Sequence, residues 1–91
     1  MSTPAGVIPP DEETYEAYRA AVRAYRRIFR EERRKHGPKK MNYHVPRRAA
    51  AEAVRHVRPD LSAEEAERLA HQATSWAAQA HHRWFWHGIT E

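Results

Sequence analysis

Three observations predict that this 91-residue chain is all-α, a small three-helix bundle of two long helices and one short one behind a flexible N-terminal tail. Apolar residues recur at helical spacing in two long stretches, helix start and stop signals bracket each stretch, and alanine, the best helix former, occurs 16 times. Leu, Ile, Val and Phe together number only 12 of 91, which by itself would suggest disorder. The alanines, four Tyr and three Trp supply the missing apolar mass, and small Ala side chains let helices approach closely.

Residues 1–10 form the tail, where Pro9-Pro10 blocks helix, although Val7 and Ile8 could anchor it against the bundle. Residues 11–91 form one domain with helices at about 11–36, 46–57 and 62–87. Helix 1 opens on Asp11, Glu12 and Glu13, which suit the positive end of the helix dipole. It closes before Gly37 and Pro38, with Gly37 suited to the left-handed C′ position. Along it Tyr15, Tyr18, Val22, Tyr25 and Phe29 keep a 3-4-3-4 spacing and define one buried stripe.

The segment from Gly37 to Val45 lacks helical periodicity and reads as a connection. Met41, Tyr43 and Val45 alternate with polar residues, as in a short extended piece laid on the core. Pro46 fits the N1 position of helix 2, which packs Ala49, Ala50, Ala53, Val54 and Val57 inward and stops before Pro59. Helix 3 starts on a capping box, Ser62 to Glu65, with Leu61 as the staple residue. Its stripe of Ala66, Leu69, Ala70, Ala73, Trp76, Ala77, Ala80 and Trp84 continues to Gly88, with Ile89 to Glu91 as a short tail. Phe85 and Trp86 point away from that stripe, so they are covered by Val7 and Ile8 or by Met41 to Val45, or else form a partner-binding patch.

Charge is segregated along the chain. The net charge is +4, but residues 1–18 carry −4, residues 19–48 carry +10 and residues 49–91 carry −2. On a helical wheel Arg19, Arg23, Arg26, Arg27, Arg30, Arg33 and Arg34 share an arc of about 120° beside the tyrosine stripe. Four i,i+4 pairs within this set are like-charged, each unfavourable by about 0.2–0.5 kcal/mol. Part of the run complements the C-terminal dipole, and a solvated helix face could carry the rest. A surface shaped only for solubility would nevertheless mix signs, so the excess also points to an anionic partner. With Lys39, Lys40 and Arg47 these arginines are the candidate anion-binding set, for nucleic acid (DNA or RNA) or for an acidic protein surface.

Other functions lack their ingredients. With no Cys there is neither a disulfide framework nor a thiolate zinc site. Seven His offer no H-x-x-x-H pair, so no metal is implied, though their titration could strengthen anion binding at mildly acidic pH. Only three Gly are present, with no P-loop and no G-x-S-x-G, and the sequence implies no enzyme and no cofactor. A helix-turn-helix reading would put Asp60, Glu64, Glu65 and Glu67 against phosphates, which their charge opposes. No stretch is long and apolar enough to span a membrane and the opening lacks a signal-peptide pattern, so a cytoplasmic protein is expected. The short second helix leaves room for a homodimer, along the Tyr15 to Phe29 stripe or through the tryptophan end.

Overall fold

The structure, a computed structural model, describes residues 7–87. Among them it is all-helical: α1 (Tyr15–His36), α2 (His44–Val57), α3 (Ala63–Ala80) and the short α4 (His82–Trp86). Helices α1, α2 and α3 each pack on the other two, and α4 follows α3 after a break at His81 and contacts it. Of the expected tail, residues 1–6 lie outside the described residues, as do Gly88 and the segment 89–91. Residues 7–10 have no regular structure but are tied down, because the Tyr18 hydroxyl donates to the Ile8 carbonyl oxygen at 2.8 Å.

Helix α1 begins at Tyr15, a turn later than the charge pattern predicts, for a local reason. Asp11 and Thr14 bond reciprocally: the Thr14 N–H donates to Asp11 Oδ1 and the Asp11 N–H donates to Thr14 Oγ1, each at 2.9 Å. This side-chain clamp holds residues 11–14 as a turn and offers the backbone an alternative to helix. It also keeps the Asp11 carboxyl below its ordinary pKa, chiefly through the Thr14 hydroxyl. At the other end Gly37 has φ 77° and ψ 165° while its N–H donates to the Arg33 carbonyl at 2.9 Å. The φ is positive as expected, but the extended ψ puts it in a region open almost only to glycine rather than in the left-handed helical one.

The face that α1 buries is rotated from the expected one. Ala17, Tyr18, Ala21, Val22, Ala24 and Phe29 are buried, whereas Tyr15 is exposed and Tyr25 half-buried. Their mean direction lies about 60° round the wheel from the tyrosine stripe. Alanines cause the shift, since a ridge of small side chains lets α2 and α3 come close on both sides. The same device recurs opposite: the buried residues of α3 are Ala66, Ala70, Ala73 and Ala77. Those of α2 are Pro46, Ala50, Ala51 and Val54, with Val57 left at the exposed end.

Helix α2 begins two residues before the expected Pro46, because Asn42 Oδ1 accepts from the His44 N–H at 2.9 Å and starts the turn early. Residues 41–45 are therefore a turn and a helix start rather than an extended piece. Met41 is buried against Phe29, and the Tyr43 ring meets Phe29 edge-on at 5.7 Å. The α3 capping box forms as predicted, with both Ser62–Glu65 bonds at 3.1 Å. Those bonds hold the Glu65 carboxyl below its usual pKa.

The expected single helix over 62–87 breaks at His81, whose φ −126° and ψ 47° leave the helical region. The break decides the place of two aromatic residues. Trp84, expected in the core, is 51% exposed, and Phe85, expected off the stripe either under internal cover or in a partner patch, is 1% exposed. Phe85 stacks on Tyr25 at 5.7 Å between ring centroids, and Trp86 meets Phe29 edge-on at 5.8 Å. Burying a phenylalanine is worth roughly 1.5–3 kcal/mol, enough to offset one interrupted helical turn.

Candidate functional site

The rotation of α1 changes the setting of its arginines. Their arc now lies about 160° from the buried direction, opposite the core rather than beside it. Arg19, Arg23, Arg27, Arg30 and Arg34 are exposed, and Arg26 and Arg33, at the margin of the arc, are half-buried. Among the described residues the ion pairs are Arg58–Asp60 and His36–Glu32, and no α1 arginine has a carboxylate within salt-bridge distance. Arg23, Arg26, Arg27, Arg30 and Arg34, with Glu31, border a shallow groove of about 290 Å³ along α1. Lys39 and Lys40 are exposed on the connection that follows.

Two of the candidate residues are placed differently from the rest. Arg47 is exposed on α2, where it borders the cleft between α2 and α3 and its charge acts on the phenol of Tyr25. Tyr25 leaves α1 on the side away from the arginine arc, so Arg47 belongs to another face. Arg26 is committed within the fold: its Nε donates to the Phe85 carbonyl at 3.0 Å and its Nη2 to the His87 carbonyl at 2.9 Å. The guanidinium also lies 4.5 Å from the centroid of the Trp84 ring. Partial burial, with the nearby charge of Arg30, lowers its pKa, and an arginine stays protonated regardless.

Of the two residues expected either under internal cover or in a partner-binding patch, Phe85 is buried in the main core against Tyr25, and Trp86 is half-buried on Phe29 and Met41. Wheel geometry carried past His81 could not decide between cover and patch, since it assumed an unbroken helix. The exposed aromatic residue of α4 is Trp84. With Tyr15, Tyr18, Val22, Arg19 and Arg23 it borders a groove of about 310 Å³ between the first half of α1 and the α3–α4 junction.

A cleft of about 520 Å³ between α2 and α3 is mixed in sign, bordered by Arg47, Arg48, Glu52 and Arg55 on α2 and Glu67 on α3. The Thr74 hydroxyl within it donates to the Ala70 carbonyl of its own helix at 3.0 Å, and Tyr25 also borders it. No cluster of three potential metal ligands occurs among the described residues. None of their helices is long and apolar enough to cross a membrane. Tyr18, Val22 and Phe29 are buried within their own chain, which removes the tyrosine stripe as a seam for a second copy. No protein-family model, curated protein or solved structure matches the chain.

Proposed function

We propose that this protein is a non-enzymatic nucleic-acid-binding accessory protein of the cytoplasm, using the solvent face of α1 on backbone phosphates with little reading of sequence. The observation that carries the reading is the row of exposed arginines without carboxylate partners among the described residues. Three like-charged i,i+4 pairs persist within that row, and Arg26 with Arg30 makes a fourth, at a cost that a polyanion would reduce. Arginine forks suit bidentate phosphate contacts, and five of them on one straight helix form a track rather than a point. Lys39 and Lys40 prolong it.

The second reading, docking on an acidic protein partner, uses the same charges and needs an apolar anchor beside them. With Phe85 buried, that anchor would have to be Trp84 and the edge of Trp86.

Titration of labelled duplex DNA, single-stranded DNA and RNA across a salt series, followed by fluorescence anisotropy, tests the proposal. Micromolar or tighter binding is expected at about 50 mM salt. If five phosphates are engaged, log K should fall against log salt with a slope of about −4.5 on duplex or about −3.5 on single strands. Absence of binding to all three would overturn the nucleic-acid reading in favour of the protein partner.

A further inference from the structure

We infer that the groove between Tyr15 and Trp84 is a base-stacking site, so that the nucleic acid held by α1 is single-stranded; the inference rests on the phosphate-binding reading above. Tyr15 is 54% and Trp84 51% exposed, and both border the same groove. Tyr18 and Phe85, their neighbours in space and in sequence, are almost wholly buried. Small domains have little apolar surface to spare, yet the chain breaks α3 and leaves an indole at the surface.

That indole is held in place. Arg26 lies over the ring at 4.5 Å while its own donors are fixed on the Phe85 and His87 carbonyls. A preset aromatic surface loses little side-chain freedom when a base stacks on it. The charge around the groove fits the same ligand. Arg19 and Arg23 stand at its α1 wall, and Arg23 also borders the arginine groove that continues to Arg34. Aromatic and cationic surfaces thus adjoin along one helix, over about 22 Å from Arg19 to Arg34 at 1.5 Å per residue.

Duplex DNA offers that track its phosphates but keeps its base faces inside the stack. A single strand offers both, and stacking on aromatic side chains together with a basic path for the backbone is how such strands are bound without sequence reading. An acidic peptide would match the arginines but has no planar group for the Trp84 face unless it carries an aromatic residue of its own. The groove therefore favours the nucleic-acid ligand among anions.

The test compares three labelled 12-mers at one salt concentration: a mixed-sequence single strand, an abasic single strand with the same phosphates, and the matched duplex. The wild-type chain should prefer the intact strand to the abasic one by about tenfold or more, the worth of one or two stacked bases. Trp84→Ala and Tyr15→Ala should each remove most of that preference while leaving affinity for the abasic strand within about twofold. Trp84→Phe should restore it in part, and melting curves would verify that each variant is folded. Equal wild-type affinity for intact and abasic strands would overturn the stacking site while leaving phosphate binding intact. A uniform loss on all three ligands in Trp84→Ala would overturn it too, by showing that the indole acts only through Arg26. Failure of every ligand to bind would overturn the phosphate reading and this inference together.

Discussion

Arg26 lies on the same face of the wheel as six other arginines and has a different task. Five of the others are exposed and Arg33 is half-buried, whereas the Arg26 guanidinium joins α1 to the end of α4 through two carbonyls and covers one side of Trp84. Hydrogen bonds from a charged donor contribute roughly 1.5–3 kcal/mol when well buried, and partial exposure here reduces that figure. Arg26→Gln is expected to destabilise the fold by about 1–2 kcal/mol, lowering Tm by roughly 4–16 °C for a domain of this size. Arg27→Gln, one position along and exposed, should stay within about 0.5 kcal/mol of wild type. Thermal unfolding followed by circular dichroism decides the matter, and equal melting of the two variants would mean that the α1–α4 link does not form in solution.

At the scale of elements, the break at His81 is the decision with the widest consequences. It turns Phe85 into the core against Tyr25 and places Trp84 at the surface. Truncating a buried phenylalanine typically costs 3–5 kcal/mol, a large share of the 5–15 kcal/mol that holds a domain together. Phe85→Ala should therefore unfold most of the population near physiological temperature or depress urea stability by about 3–5 kcal/mol. Trp84→Ala should cost about 1 kcal/mol, chiefly the contact with Arg26. The opposite order in urea titrations would mean that α3 runs on unbroken, as its periodicity alone suggests.

For the whole molecule, the balance lies between self-repulsion and binding. Substituting Arg23, Arg27, Arg30 and Arg34 together by Gln would take the central segment from +10 to +6 and end all four like-charged i,i+4 contacts. None of these four side chains makes a hydrogen bond or ion pair within the described residues. Stability should consequently hold or rise, by up to about 2 kcal/mol, while nucleic-acid affinity at about 50 mM salt falls by two orders of magnitude or more. Gain in Tm with loss of binding is what a functional charge cluster predicts. If affinity survives, the anion-binding surface lies elsewhere, and the mixed cleft that holds Arg47 becomes the first alternative.

What the sequence determined by itself is local. Helix content, the end of α1 at His36, the stop after Val57 and the Ser62–Glu65 box all depend on residues within about four positions of one another, and the segregation of charge is a plain sum along the chain. Helical geometry makes those relations legible without a fold. Tertiary structure decided which face of α1 turns inward, where the last helix breaks, and which arginines are free. A wheel weights residues by hydrophobicity and so favoured Tyr15 and Tyr25 over Ala17, Ala21 and Ala24. Packing rewards whatever lets neighbouring helices close, and small side chains do that best. The groove of Tyr15 and Trp84 has no signature in the sequence, since 68 intervening residues separate its two rings. It forms where the chain turns at His81, with Phe85 buried against Tyr25 in the middle of α1 and Trp84 left beside the first half of that helix.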